Sequence, residues 1–291
     1  MRLDPQAVRS EFPALERQQD GRTVVWADGP GGTQVPRRVI DAMSGVLTRG
    51  ASNHGGFFSA SAESDAIHEN ARAAMADLFG CSPDEIAFGQ NMTSMTFALS
   101  RALSRDWSAN DEVVVTRLDH DANVSPWVLA ARDSGATIRF VDINVEDATL
   151  DMASLEEAVG PRTKLVAVPA ASNAVGTLVD VARVAEIAHS VGALVFVDAV
   201  HYTPHGPIDV RAFNCDFLVA SAYKFFGPHT GVLFGKREHL TQIDAYRLRP
   251  APSEAPGKWE TGTQSFESLA GVTAAVDYLA AIGASIAETP V

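Results

Sequence analysis

Cysteine is scarce in this chain of 291 residues, which contains only Cys81 and Cys215. Two cysteines cannot build a disulfide framework or a cysteine-rich metal site, so we expect no metal centre of that kind. Cys215 directly precedes an apolar run, and Cys81 begins a turn between a predicted helix and a predicted strand. Each is therefore interpreted as a small, inert side chain rather than a reactive thiol.

Positive charge and long apolar runs are scarce as well. The chain has 23 basic residues against 36 acidic ones, a formal net charge of -13, which opposes binding to a nucleic-acid backbone. No uninterrupted apolar run reaches the roughly 18 residues of a membrane span, and the N-terminal stretch MRLDPQAVRS lacks the apolar core of a signal peptide. The sequence therefore predicts a cytoplasmic protein without a nucleic-acid or membrane partner.

Short apolar runs that alternate with helical patterns are the main organising feature. The chain is 46% hydrophobic, enough for a large core. After two predicted helices at 35–49 and 61–79, alternation predicts a mainly parallel, seven-stranded α/β sheet with helices on both faces. The predicted strands are 85–88, 112–116, 137–141, 164–169, 194–197, 217–220 and 231–234, and the helices between them are 93–103, 123–134, 152–159 and 181–191.

Two charged residues stand just after predicted buried strands. Asp198 directly follows the run 194–197, and Lys224 follows the run 217–220 and precedes a Gly-Pro loop. Ligands of parallel sheets collect outside the carboxyl ends of the strands, so both side chains are expected at one site. A lysine amine near a buried carboxylate suits pyridoxal 5'-phosphate, whose aldehyde binds the amine and whose ring nitrogen needs an acid. The pair alone is equally consistent with an ordinary structural salt bridge.

Three further loops follow predicted strands. The loop at 90–93 opens a helix, where backbone amides and the helix dipole bind phosphate, although Thr93 is also an ordinary capping residue. His120 follows the next strand and is suited to stacking on a planar ring or moving a proton, unless it is a surface residue. Asn173 follows a third strand, where its amide is suited either to a hydrogen bond with a ring oxygen of a cofactor or to forming a turn. A dinucleotide is disfavoured because the loop at 90–93 lacks the G-x-G-x-x-G pattern.

Six motifs in this order carry a family resemblance. They are NMTS at 91–94, LDHDANVSPW at 118–127, SNAVGT at 172–177, VDAVHYTPHGPIDV at 197–210, CDFLVASAYKFFGPHTGVLFG at 215–235 and ETGTQ at 260–264. Together they resemble the cysteine desulfurase group of the class V aminotransferases, over residues 12–283. The resemblance implies the PLP-dependent transferase fold type I. It also implies an N-terminal segment at 1–30, a large cofactor-binding domain at 31–270, and the start of a linker helix at 271–291.

The resemblance further assigns roles to individual residues. Lys224 would form the Schiff base with pyridoxal phosphate, Asp198 would hold the ring nitrogen, and His120 would stack on the ring; these three are the expected catalytic residues. Relatives are homodimers in which an ETGT-like loop reaches the neighbouring site, so Thr263 would bind the partner's cofactor phosphate. The expected cofactor-binding set is Met92, Thr93, His120, Asn173, Asp198, His201, Ser221, Tyr223, Lys224 and Thr263.

Some residues depart from the family pattern. Relatives commonly carry Gln at the position of His201 and His at that of Tyr223. They commonly carry a hydroxyl residue at the position of Met92, so in this chain only the Met92 backbone amide would contact the phosphate. Their small C-terminal domain brings an arginine for the substrate carboxylate and, in desulfurases, a sulfur-accepting cysteine. Neither has a counterpart in this sequence.

The predicted function is that of a PLP-dependent enzyme acting on an amino acid through Lys224, similar to cysteine desulfurases and class V aminotransferases. The expected chemistry is exchange of the lysine amine for the substrate amine, followed by proton removal with Lys224 as base. Other reactions on the same cofactor stay open, namely β-elimination, epimerisation and transamination. So does a scaffold that binds the cofactor without catalysis.

Overall fold

Nine strands occur in residues 3–286, which are the residues that the computed structural model describes. A small hairpin near the N-terminus precedes one large sheet. The strands are β1 (Gln18–Gln19), β2 (Arg22–Thr23), β3 (Ile86–Gly89), β4 (Glu112–Thr116), β5 (Thr137–Val141), β6 (Thr163–Pro169), β7 (Leu194–Asp198), β8 (Phe217–Ser221) and β9 (Gly231–Gly235).

The large sheet has seven strands in the order β3-β9-β8-β7-β6-β4-β5. Strands β8, β7, β6, β4 and β5 pair in parallel, whereas β9 lies antiparallel to both of its neighbours. The predicted mainly parallel, seven-stranded sheet is thus confirmed. Strand β3 points the same way as β8, because both are antiparallel to β9. The carboxyl ends of six strands therefore meet at one edge of the sheet, and the amino end of β9 joins them.

Helices fill the connections between strands. Side chains accept backbone N–H bonds at several helix starts, including Asn91, Asp151 and Asp180, which satisfies donors that the first helical turn leaves free. The helices are α1 (Pro5–Ser10), α2 (Arg37–Arg49), α3 (Ser59–Phe79), α4 (Met92–Leu103), α5 (Ser125–Ser134), α6 (Met152–Ala158), α7 (Val181–His189), α8 (Val210–Phe213), α9 (Arg237–Gln242) and α10 (Phe266–Ile286). The short α1, α8 and α9 were not expected from the sequence.

The core lies on both faces of the sheet. Successive residues of a strand point to opposite faces, and in β7 Val195 and Val197 join one apolar cluster while Phe196 joins the other. The first cluster includes residues of α3, α7 and α10, such as Val272, and the second includes residues of α4 and α5, such as Trp127. Helices therefore cover both faces, as predicted, and both faces of the central strands are buried.

Helix α10 is long and apolar. By length and mean hydropathy, 1.6 over an 18-residue window, it is the one described helix that passes for a membrane span, although no uninterrupted apolar run shows this. Its buried residues recur at helical spacing, among them Leu269, Val272 and Ala275, and the helix packs on α2 and α3. We therefore interpret α10 as a helix with one face in the core.

The expected division into segments stays a prediction. Residues 1–2 of the predicted N-terminal segment and residues 287–291 of the predicted linker helix lie outside the described residues. The predicted boundary at 270 falls inside α10. Just after the N-terminal segment, the Thr33 amide and hydroxyl both donate to the Tyr223 carbonyl in the turn that follows β8, at 3.0 and 2.9 Å.

Candidate active site

A cavity of about 620 Å³ opens at the edge where the strand ends meet. It lies in the crevice where open parallel sheets hold their ligands. Its walls come from the loops after β3, β4, β6, β7 and β8, from the turn before β9 and from the N-terminal segment. The lining residues are Pro30, Gly31, Asn91, Met92, Thr93, His120, Pro169, Ala171, Asn173, Asp198, Val200, His201, Ser221, Tyr223, Lys224 and His229.

Asp198 is the buried carboxyl of this cavity. It ends β7 with 6% of its surface exposed, and its Oδ1 accepts the Val200 N–H at 2.8 Å. Burial raises the pKa of Asp198 to about 6, although the Val200 N–H and the charges of His120 and Lys224 oppose the shift. The carboxyl is thus poised to share or release a proton near neutral pH.

Lys224 brings the amine. It ends a short 3-10 turn, Ala222–Lys224, directly after β8. Its Nζ donates to the Pro30 carbonyl and lies 4.6 Å from the centroid of the Tyr223 ring. No salt bridge to Asp198 forms within the described part of the chain, so the ordinary ion pair that the sequence left open is not what the structure has. The amine faces the cavity with a neutral carbonyl as its partner.

Helix α4 begins at the same cavity, beside the hydroxyl of Ser221. Asn91 caps the helix by accepting the Ser94 N–H at 2.9 Å, and the Met92 N–H donates to Ser221 Oγ at 3.1 Å. Thr93 stands in the first turn and lines the cavity. A helix N-terminus with adjacent hydroxyls suits a phosphate. The Met92 amide, the only group by which the resemblance lets this residue serve a phosphate, here donates to Ser221.

Gly231, the first residue of β9, leaves room for the loop that begins α4. It pairs with Ser221 and with Gly89 across the sheet, and a Cβ built on it would lie 2.4 Å from the carbonyl carbon of Asn91. Real Cβ atoms do not approach backbone so closely, so any side chain must push the start of α4 away from Ser221. The absence of a side chain at 231 thus sets the geometry of the helix start.

We expect Gly231→Ala to weaken pyridoxal phosphate binding by about tenfold or more, because overpacking against rigid backbone costs about 1–3 kcal/mol. Equilibrium dialysis of the cofactor measures this effect, and thermal unfolding measures the accompanying loss of stability. Gly283→Ala is the matched control, because nothing lies within 4 Å of a Cβ built there. An unchanged dissociation constant for Gly231→Ala would contradict this account of the helix start.

Aromatic rings line the remaining walls. His120 Nδ1 accepts the Ala122 N–H at 3.0 Å. The rings of Tyr223 and His229 stack with 4.8 Å between centroids and 12° between planes. The pKa of His201 is lowered by burial and by the charges of His205 and Lys224. An imidazole with a lowered pKa stays neutral, so His201 can accept as well as donate a hydrogen bond.

The cavity collects nine of the ten expected cofactor-binding residues, all except Thr263. Thr263 is exposed in the loop before α10. Seven lining residues were not in the expected set, namely Pro30, Gly31, Asn91, Pro169, Ala171, Val200 and His229. The only sequence signal for His229 is its place directly after the Gly-Pro pair, whereas Pro30 and Gly31 reach the cavity from a segment far away in the chain.

Neither cysteine reaches the cavity. Cys215 is fully buried, Cys81 is partly buried, and both are free thiols. Burial is the main cause that raises each thiol pKa to about 12. Both are thus poor nucleophiles, in line with the interpretation of each as an inert residue.

The donors around the cavity fit pyridoxal 5'-phosphate. A helix start with hydroxyls provides for the phosphate, the buried carboxyl of Asp198 for a ring nitrogen, and the amine of Lys224 for an aldehyde. A family model described as aminotransferase class-V matches residues 25–290. The chain belongs to the class-V aminotransferase family. Its relatives depend on pyridoxal phosphate, and the sheet is that of fold type I, as the resemblance implied.

Individual relatives agree with this assignment. The chain is 33% identical over 303 residues to a probable cysteine desulfurase of Streptomyces coelicolor, covering 97% of this chain and 72% of that protein. It is also 33% identical to a probable cysteine desulfurase of Mycolicibacterium paratuberculosis, of which it spans 43%. The apo structure of a cysteine desulfurase from Thermococcus onnurineus NA1 superimposes with a TM-score of 0.89 at 26% identity, over 97% of this chain and 72% of that one.

Proposed function

We propose that this class-V aminotransferase homologue is a pyridoxal-phosphate-dependent enzyme that acts on an amino acid, with L-cysteine as its first substrate candidate. The observation that carries the proposal is the single cavity in which an amine, a buried carboxyl, a helix start and nine expected residues come together. When bound, the cofactor supplies an aldehyde that captures an amine and a ring that withdraws electrons. Cysteine is favoured because relatives carry the name cysteine desulfurase.

In this proposal each residue has a defined task. Asp198 would hold the ring nitrogen from its buried position, where a charge interaction is strong. Ser221 and Thr93 would hold the phosphate at the start of α4, and His120 would stack on the ring. Lys224 would hold the aldehyde through its amine, and the free amine would serve as the general base that removes a proton from the substrate. Asn173, His201 and Tyr223 contact the cofactor or substrate from the remaining walls.

The route of the sulfur atom bears on the products. Neither Cys81 nor Cys215 lines the cavity, so the desulfurase route is assayed with an added thiol that accepts or reduces the sulfur. Conversion of cysteine to alanine and sulfide takes up two electrons and two protons, which a dithiol supplies by forming a disulfide. β-Elimination instead gives pyruvate, ammonia and sulfide without a reductant.

The test begins with the visible absorption spectrum of the protein mixed with pyridoxal phosphate, followed by borohydride reduction and peptide mapping. We expect a reducible band and a mass tag on Lys224. L-Cysteine with dithiothreitol is then the first substrate, with alanine, pyruvate and sulfide measured separately. Alanine supports the desulfurase reading and pyruvate the lyase reading. A tag on Lys224 without turnover of any amino acid would leave a cofactor-binding scaffold.

We also propose a cytoplasmic homodimer in which Thr263 serves the neighbouring site. Glu260, three residues before Thr263, is buried. Its carboxylate accepts the Phe88 N–H at 3.0 Å and pairs with Arg72 at 2.9 Å and with His68 at 3.0 Å. The loop is thus fixed at its base while Thr263 itself is exposed. A fixed loop with an exposed hydroxyl suits a contact across a dimer interface.

Mixing two inactive variants tests this arrangement. We expect Lys224→Ala and Thr263→Ala copies, unfolded and refolded together, to regain activity at low cofactor concentration. Random pairing puts half of the chains in mixed dimers. One of the two sites in each mixed dimer then has both wild-type residues, so about a quarter of all sites are of the wild-type kind. Lys224→Ala mixed with wild-type chains calibrates the exchange. No regain over the separate variants, or a monomer in analytical ultracentrifugation, would contradict the proposal.

A further inference from the structure

A partly buried hydrogen-bond network lies beside His120. Asp119 Oδ2 accepts from Thr116 Oγ1 at 2.5 Å, and Asp119 Oδ1 accepts from Asn123 Nδ2 at 2.7 Å. The amide oxygen of Asn123 in turn accepts the Trp127 indole N–H at 3.1 Å. Asn123 and Trp127 are both fully buried, and the Trp127 ring packs edge-on against Phe196, with centroids 4.9 Å apart. The network therefore rests on the rigid core.

The Asp119 carboxyl joins the two sides of the turn that carries His120. Thr116 is the last residue of β4, and Asn123 closes the 3-10 turn before α5. Within the turn, the Asn123 N–H donates to the His120 carbonyl at 2.8 Å and the Ala122 N–H donates to His120 Nδ1 at 3.0 Å. Because Nδ1 accepts a hydrogen bond, the proton of the neutral imidazole lies on Nε2. The ring orientation and its tautomer thus depend on the shape of the turn.

We propose that Asp119 is a positioning residue, whose carboxyl holds the 116–123 turn so that His120 presents a single, Nε2-protonated tautomer to the cavity. Three observations support this inference. Both carboxyl oxygens of Asp119 accept hydrogen bonds, one from a residue before His120 in the chain and one from a residue after it, and Asn123 is in turn bonded to the buried Trp127. A positioned ring binds a planar ligand better than a mobile one, because less freedom is lost on binding. His120's own role rests on the proposed function.

Charge in the same region shapes the choice of test variants. Burial is the main cause that raises the pKa of Asp119 well above its ordinary value, and the nearby Asp198 carboxylate adds to the shift, whereas the bonds from Thr116 and Asn123 oppose it. Asparagine has the shape of aspartate; its oxygen can accept from Asn123 and its NH2 group can donate to Thr116 Oγ1, which also accepts the Leu118 N–H at 3.2 Å. Asp119→Asn is therefore the conservative variant and Asp119→Ala the disruptive one.

The test reads the ring nitrogens of His120 in protein without cofactor, by long-range ¹H–¹⁵N correlation spectra. A His120→Gln variant assigns the signals among the eight histidines. We expect a single Nε2-protonated tautomer in the wild type and in Asp119→Asn, and averaged tautomers in Asp119→Ala. The pyridoxal phosphate dissociation constant should rise about tenfold in Asp119→Ala and stay within about twofold in Asp119→Asn.

Asp121→Asn is the matched control, because this exposed carboxylate of the same turn bonds only the Ser125 hydroxyl through its side chain. Its spectrum and affinity should match the wild type. If Asp119→Ala does not fold, Thr116→Val takes its place, because it removes the bond to Asp119, together with the bond accepted from the Leu118 N–H, with little change of shape. An unchanged His120 tautomer in the folded disruptive variant would overturn the proposal. Since the spectra need no cofactor, that failure is distinct from a failure of the proposed function.

Discussion

Lys224→Ala should abolish covalent attachment of pyridoxal phosphate and lower amino-acid turnover by at least about 10³-fold, as removal of a residue that forms the covalent link does. Lys224 is the only lysine among the described residues that line the cavity, so no other amine stands where the aldehyde would bind. Lys224 ends a 3-10 turn and its Nζ donates to the Pro30 carbonyl, so the amine is held at the edge where the strand ends meet. Borohydride reduction with peptide mapping, and turnover at saturating cofactor, measure the two losses.

Lys164→Ala is the matched control for this experiment. Lys164 is a half-exposed strand residue that pairs with Asp111 at 3.3 Å, and surface pairs of this kind contribute little to stability. It should keep the reducible band and the turnover of the wild type. A full mass tag on another lysine in Lys224→Ala, together with wild-type turnover, would remove Lys224 from the centre of the proposed chemistry.

The positions of Asp198 and Lys224 could be predicted from sequence because they follow from topology. Apolar runs alternate with helical patterns, alternation requires a parallel sheet, and a parallel sheet brings the carboxyl ends of its strands together. The same topology places His120 and Asn173 at one edge, where the cavity has them. The roles of these residues in binding the cofactor stay predictions of the family resemblance.

Residues that reach the cavity by other routes could not be predicted in this way. His229 precedes β9, an antiparallel strand whose amino end lies at the edge where the parallel strands end. Pro30 meets Lys224 across 194 positions of sequence, a contact that no local pattern encodes. Thr263 lies outside the cavity of its own chain, so its predicted place in a partner's site depends on assembly. The engagement of the Met92 amide by Ser221 depends on side-chain geometry that spacing does not contain.

Asp198→Asn should lower amino-acid turnover by about 10²-fold or more, yet make the cofactor-free protein more stable at neutral pH. An amide cannot carry the negative charge that keeps the ring nitrogen protonated, and electrostatic groups of this kind supply much of an enzyme's rate. The fold has little to lose, because the Asn oxygen still accepts the Val200 N–H that Asp198 Oδ1 accepts at 2.8 Å. Turnover at saturating cofactor measures the first effect, and thermal unfolding without cofactor measures the second.

The sign of the stability effect follows from the pKa of Asp198. Burial raises it to about 6, whereas an unfolded Asp has a pKa of about 3.9. The native state therefore binds more protons between these values, and wild-type stability falls as pH rises from about 4 to about 6, by about 2–3 kcal/mol in all. Asn removes this penalty, so its advantage at pH 5 should be about half of that at pH 8. An exposed carboxylate changed in the same way, Asp133→Asn, should show no such trend.

Cofactor binding should reverse this ranking. The buried carboxylate that destabilises the empty wild-type site gains a cationic partner when the ring nitrogen is protonated, so added pyridoxal phosphate should raise the unfolding temperature of the wild type more than that of Asp198→Asn. Equal gains for both proteins, or an Asn variant less stable than the wild type at pH 8 without cofactor, would mean that Asp198 is a structural residue. If the wild type is instead less stable than Asp198→Asn without cofactor and more stable with it, Asp198 destabilises the fold and only the bound ligand offsets that cost, as expected of a binding site.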